Sequence, residues 1–263
     1  MKKKMKMKKK KKMRIKNKPH SAMATIHFSM RQMLLILFAV ALSISANAAD
    51  RTIETYPRAE WDRAKVILMH TPGQELFDGV IHPSAGLFEH YFDIDKAAEE
   101  HRGYIHRLEA NGIHVLTVTE ILNEISIDSL RMLADKELIY DISAMPDASP
   151  QATEAYRQEV LGQMSRADLI RCILLRPTVR LSSTDNNTGV VAEYIHNPLM
   201  NLYFTRDQSI TTPRGHIICR MNSAQRTPET DIIELCYNHL GLHPVLRIQD
   251  EGRLEGGDYF PAG

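Results

Sequence analysis

QSITTPRGHIICRMNSAQRTPETDIIELCYNHLGLHPVLRI, residues 208–248, is the stretch whose reading decides the fold. Residues 208–219 read as a hairpin turning at Pro213-Arg214-Gly215, because a proline and a glycine between apolar runs supply the turn geometry. Thr227-Pro228 caps and starts a helix, with proline in the first helical position, where no N–H is needed. Ile232, Ile233, Leu235, Cys236 and Leu240 form its buried stripe, and Gly241 closes it. Pro244-Val245-Leu246-Arg247-Ile248 is a further strand. Strand, strand, helix, strand is an α/β pattern.

Working outward, Lys65-Val66-Ile67-Leu68-Met69-His70 is a buried strand ended by the turn Thr71-Pro72-Gly73. Asp93 or Asp95 caps a helix running to about Ala110, and Asn111-Gly112 stop it. Residues 113–118 are the next strand. From Thr119 to about Cys172 the pattern turns helical, over 120–125, 130–140, 151–164 and 166–174, with a polar break at 147–150. This is a helical insertion between αβ units. Residues 177–194 read as irregular, with an exposed loop at 182–189. The sequence stops at Gly263 soon after a strand, which would leave sheet edges unpaired; the expectation is that a carboxyl-terminal half is missing.

Charge is segregated along the 263 residues. Of 33 Lys and Arg, 13 fall in residues 1–48, which hold no acid; that leaves 20 against 32 acidic residues, a net charge of −12. An acidic body argues against a nucleic-acid partner, which needs a basic face. The lysine run reads as a solvated tail. Behind Arg31, the apolar run 33–44 is too short for a bilayer, which needs about 20 residues. Ser45-Ala46-Asn47-Ala48 follows it in the pattern of a signal-peptidase site. The expectation is a basic amino terminus plus signal peptide over 1–48, cleavage after Ala48, and a secreted or periplasmic body; a buried helix or a membrane anchor is the alternative. The lysine- and methionine-rich stretch before Met30 points to a later start, with Met23, Met30 and Met33 as candidates. Three cysteines, Cys172, Cys219 and Cys236, leave at least one unpaired. Cys219 and Cys236 read as core residues.

Two segments carry chemistry: Asn201-Leu202-Tyr203-Phe204-Thr205-Arg206-Asp207 and Leu254-Glu255-Gly256-Gly257-Asp258. Asp207 reads as lying at a strand end. Glu255 precedes two glycines, which let a backbone approach a ligand or neighbouring strand. A guanidinium is a planar fork of N–H donors, and a carboxylate accepts two of them in parallel. Two carboxylates from separate segments can therefore clamp one planar cation. The plainer alternative is that Asp207 pairs with Arg206 or caps a turn, and that Gly256-Gly257 is a bulge.

These two segments, in this order, resemble the arginine deiminase family within the guanidine-modifying amidinotransferase superfamily. Val66 to Gly73, Tyr91-Phe92-Asp93-Ile94 with Glu100-His101, and Arg226 with Glu229 extend the resemblance over roughly residues 56–263. Met200 and Gln208 stand where the family often has proline, with altered local stiffness and little change in chemistry expected. The resemblance implies a partial α/β-propeller of pentein-type ββαβ units over 49–263, with the helical insertion at about 119–174. It implies that Asp207 and Glu255 hold the guanidinium, that Asn201 and Phe204 line the pocket, and that Arg226 pairs with the substrate α-carboxylate. Arg226 could also be a surface residue at a helix start. Asp258 would support the strand and Arg206 the loop.

The implied reaction is L-arginine plus water to L-citrulline plus ammonia, through a covalent amidino-cysteine. The cysteine and histidine that carry it in the family have no counterpart in this chain. His239 and His243 precede the acidic motif, and Gly241 and Pro244 interrupt the metal-binding spacing between them. No metal and no cofactor is implied. The implied partner is a small-molecule substrate, arginine, with no nucleic acid and no stable membrane span after cleavage; a homo-oligomer stays open. A guanidinium-binding module without catalysis, or a deiminase for agmatine, methylated arginine or peptidyl-arginine, are the rival readings.

Overall fold

A computed structural model describes residues 57–262, so the basic amino terminus, the signal peptide and its cleavage site lie outside the described residues. Strand β1 (Val66–Met69) pairs in parallel with β2 (His114–Thr117). The crossover between them carries the short helix α1 (Phe77–Ile81) and the long helix α2 (Ile94–Ala110). Asp93 caps α2, its carboxylate accepting from the Lys96 N–H at 3.0 Å. Gly112, at φ +77°, closes it in the left-handed conformation that glycine adopts without steric cost.

Strand β2 ends one residue earlier than the sequence suggests. Thr117 caps α3 (Val118–Glu124), and the Glu120 carboxylate reaches back to the Thr117 N–H, a reciprocal cap that ends the strand. Helices α4 (Ile127–Glu137), α5 (Pro150–Gln163) and α6 (Arg166–Leu175) follow. Between α4 and α5 the expected helix over 130–140 gives way to strand β3 (Ile139–Ala144). Leu138 turns extended there, and β3 finds a parallel partner in β4 (Pro177–Ser183). Residues 177–194 are likewise not irregular: β4 pairs antiparallel with β5 (Val190–His196), and the polar loop is the hairpin tip.

The third sheet is the unit read first. Strands β6 (Ser209–Thr212) and β7 (Gly215–Ile218) form a hairpin around Pro213-Arg214. Helix α7 (Thr227–His239) follows, and β8 (Leu246–Arg247) returns in parallel to β7. Arg226, not Thr227, stands at the capping position, and Pro228 lies in the first turn. Gly215 takes φ +125°, and a side chain there would meet Val245 at 2.7 Å, so the turn and the return of β8 both require glycine.

The fold is mixed α/β, with three small sheets that close into no barrel or propeller among the described residues. One apolar cluster joins α3, α4 and α6 to β7 and α7, through Val118, Leu122, Leu130, Leu169, Ile173, Ile218, Ile233 and Cys236. Leu199 and Leu202 belong to it, which anchors the 201–207 segment on the core. No described helix is long and apolar enough to cross a membrane.

Candidate functional site

The segment 201–207 is a series of tight turns rather than the end of a strand. Leu202 N–H donates to Leu199 O, Phe204 N–H to Asn201 O and Asp207 N–H to Phe204 O, each at 3.0–3.1 Å. With Leu202 buried on the core, Tyr203 and Phe204 are thrown outward, and their rings contact each other at 4.1 Å. Arg206 does not pair with Asp207. Its guanidinium takes Glu60 and donates to the Tyr259 carbonyl at 3.1 Å, tying the loop down from outside.

The Glu255 segment docks directly on this loop. Arg220 and Leu254 exchange backbone hydrogen bonds, and Gly256 N–H donates to the Asp207 carbonyl at 2.9 Å. A Cβ on Gly256 would lie 1.8 Å from the Arg206 carbonyl oxygen, so only glycine admits this approach. Asp258 Oδ2 accepts from the Glu255 N–H at 3.1 Å, and Glu255 Oε1 accepts from the Asn222 N–H at 3.0 Å. The bulge reading of Gly256-Gly257 is thereby replaced by a packing requirement.

Asp207 and Glu255, 48 positions apart, converge on one guanidinium, and it belongs to Arg226. Arg226 Nη1 lies 3.0 Å from Asp207 Oδ2 and 3.9 Å from Glu255 Oε2. Its Nε and Nη2 take Glu229 Oε2 at 3.1 and 3.0 Å, and Nη2 reaches the Asn201 carbonyl at 3.4 Å. The Phe204 ring lies 5.8 Å from Cζ, within cation–π range. Arg226 is 6% exposed, so it is no surface residue, although it does stand at a helix start. Burial works against its charge, but Glu229 and Asp207 more than offset that and hold its pKa above the ordinary value. In this arrangement most of its donors are taken up by Glu229, Asp207 and the Asn201 carbonyl, with Glu255 farther off at 3.9 Å.

Glu229 is buried, and desolvation pushes its carboxyl above the usual range against the pull of Arg226 and Gln208. Gln208, expected to matter little, is fully buried and donates from Nε2 to Glu229 Oε2 at 2.6 Å. Asn201 is buried too. Its Nδ2 donates to the Gly86 carbonyl at 3.1 Å, while its Oδ1 has no hydrogen-bond partner among the described residues. Gly86 belongs to the segment that sequence reasoning left unassigned; its neighbour Phe88 stacks on Tyr203 at 6.3 Å. Only the three-dimensional contact reveals that wall.

The three cysteines are free and buried. Burial raises Cys172 to about 11 and Cys219 and Cys236 to about 12; for Cys219 the Glu255, Asp207 and Asp258 carboxylates add to the effect. Cys219 thus neighbours the acidic pair, and burial first, with those carboxylates adding to it, disfavours its thiolate. Among the described residues no cluster of His, Cys, Asp and Glu could hold a metal. A separate cavity of about 240 Å³, which neither Asp207 nor Glu255 lines, sits over the buried His70–Glu75 pair.

Fold and site together define an α/β protein with converging carboxylates that grip a flat cation. The chain belongs to the arginine deiminase family, whose profile matches residues 85–263. It is 26% identical to an arginine deiminase of Halobacterium salinarum over 84% of this chain and 53% of that protein. It is 26% identical to one of Borrelia duttonii over 76% of this chain and 51% of that protein, and 29% identical to one of Staphylococcus haemolyticus over 65% and 43%. The chain spans about half the length of the curated relatives it matches.

Proposed function

We propose that this chain supplies the guanidinium-binding part of an arginine deiminase, a hydrolase that converts L-arginine and water to L-citrulline and ammonia. The observation that carries this reading is the convergence of Asp207 and Glu255 within 4 Å of one guanidinium nitrogen. Three carboxylates, Asp207, Glu255 and Glu229, surround the single cation of Arg226, so with all ionised the cluster is two positive charges short of neutral. Asp207 and Glu255 keep side-chain exposures of 23% and 29%, open enough for a second guanidinium to approach. That cation would take the carboxylate oxygens left free by Arg226, against the Phe204 ring and the unpartnered Asn201 Oδ1.

In the proposed reaction a cysteine thiolate bonds to the guanidinium carbon and the C–N bond to the departing nitrogen breaks. That nitrogen leaves as ammonia once protonated. Water then adds to the amidino carbon, the C–S bond breaks, and citrulline and the thiol are released. Asp207 and Glu255 hold the substrate flat and stabilise its charge. Cys172, Cys219 and Cys236 are buried with raised pKa values, so none of the three takes the part of the attacking thiolate in this reading. The β6–β7–α7–β8 unit supports a pentein-type ββαβ propeller for the whole protein, and Ser45-Ala46-Asn47-Ala48 supports export with cleavage after Ala48.

Titration of the 263-residue chain with L-arginine in a calorimeter tests this. Binding is expected, with no citrulline released, and Asp207→Asn is expected to weaken binding at least tenfold. Equal affinity of Asp207→Asn and the parent chain, or no heat of binding at all, would overturn the reading.

A further inference from the structure

Gln208 has no assigned role, yet it is a fully buried polar side chain directly after Asp207. Burying an amide without a partner costs about 1–3 kcal/mol, so its one strong hydrogen bond needs a reason. The bond goes to Glu229 Oε2 at 2.6 Å, the same oxygen that accepts from Arg226 Nε and Nη2. Two consecutive residues therefore hold opposite members of one ion pair: Asp207 takes Arg226 and Gln208 takes Glu229. The backbone enforces this, because Cys219 N–H donates to the Gln208 carbonyl at 2.9 Å and sets its register at the head of β6. The orientation of the amide is dictated as well, since a flip would turn its Oε1 against a carboxylate.

We propose that Gln208 is a positioning residue: by donating its amide to buried Glu229, it fixes the Arg226 guanidinium against Asp207 and Glu255. The groups facing Glu229 are Arg226 at the start of α7, Gln208 at the head of β6 and Asp207 in the turn before it. Arg226 alone must otherwise hold Glu229 as an anion in a site that disfavours charge. Loss of the amide lets Glu229 take up a proton more readily, the pull on Arg226 slackens, and the spacing of Asp207 and Glu255 is released. This rests on the guanidinium-binding reading for its effect on ligand, but not for its effect on Glu229.

Two measurements on the 263-residue chain decide it. In calorimetry with L-arginine, Gln208→Met is expected to weaken binding about tenfold at pH 7. It is expected to add no further loss in a Glu229→Gln background. In a 13C NMR titration of side-chain carboxyls, Gln208→Met is expected to move the Glu229 midpoint up by about one unit. Gln208→Glu, nearly the same shape, guards against a folding failure of the methionine variant: its arginine affinity should recover as pH falls and the pair shares a proton. Additive losses of Gln208→Met and Glu229→Gln, or an unmoved Glu229 midpoint, overturn the proposal. Should the parent chain bind no arginine, the function reading fails while the carboxyl titration still decides Gln208.

Discussion

Gly256→Ala isolates the contact on which the acidic pair depends. The added Cβ would sit 1.8 Å from the Arg206 carbonyl oxygen and 2.9 Å from the Ser209 carbonyl oxygen. Carbon and carbonyl oxygen approach to about 3.3 Å at closest, so the shortfall against Arg206 is about 1.5 Å. Bending a bond angle by about 7° costs about 1 kcal/mol and moves a Cβ only about 0.2 Å. The strain cannot be absorbed locally, so the 254–258 segment must move off the 206–209 loop. That breaks the Gly256 N–H to Asp207 carbonyl bond, about 1 kcal/mol, and adds about 1–3 kcal/mol for the forced backbone shift. The expected cost is about 2–4 kcal/mol, which lowers the melting temperature by roughly 5–15 °C for a domain of this size.

Glu255 moves with the segment, away from Arg226 and Asp207, and arginine affinity should fall at least tenfold. The neighbouring glycine is the internal control. A Cβ on Gly257 meets nothing nearer than Asp207 Oδ1 at 3.7 Å, an ordinary contact. Gly257→Ala should therefore stay within about 0.5 kcal/mol of the parent chain, the range of a substitution away from special features. Thermal melts followed by circular dichroism, paired with calorimetry, compare the two. The reasoning fails if Gly256→Ala melts and binds like the parent, or if Gly257→Ala loses as much.

Two further outcomes follow from the buried groups. With thiol pKa values of about 11 to 12, the folded chain at pH 8 should resist iodoacetamide at Cys172, Cys219 and Cys236, while the urea-unfolded chain takes up three labels; rapid labelling of the native chain would contradict their burial. Desolvation lowers His216 from 6.5 to about 4, so the fold favours its neutral form. Its contribution is whole above about pH 6.5 and is lost as pH falls through about 4, an effect of about 3 kcal/mol. His216→Phe, which keeps the stack on Tyr237, should narrow the gap in melting temperature between pH 7 and pH 4; an unchanged gap would assign the acid sensitivity elsewhere.

What the sequence discloses depends on how local its cause is. The hairpin at Pro213-Arg214, the Pro228 helix start and the Asp93 cap each rest on residues within a few positions of one another, and all three appear where expected. Strand β3 does not announce itself, because no glycine or proline separates it from α4; its extended state is secured by β4, some forty residues on. Strands β4 and β5 are obscured differently. Their hairpin tip is polar enough to make the whole region resemble a loop, and the pairing that makes it a sheet is visible only in space.

The acidic pair was legible through resemblance more than through chemistry. A carboxylate can accept a guanidinium's parallel N–H groups, but spacing alone left Asp207 free to pair with Arg206 or cap a turn, and it was the two motifs in order that made a shared cation the expectation. Which cation was not legible. Arg226 stands at the start of α7, where the helix axis points its side chain back over the 201–207 turns, and Glu229 one turn on locks it there. Sequence spacing sets that reach only once the β6–β7 hairpin has fixed where α7 begins. The protein's own arginine thus occupies the geometry expected for a substrate, with acid charge left over. On the proposed reading, a resident guanidinium that leaves its carboxylates underneutralised organises a site without filling it, since the remaining acid charge favours a second flat cation where the first has already aligned the carboxylates.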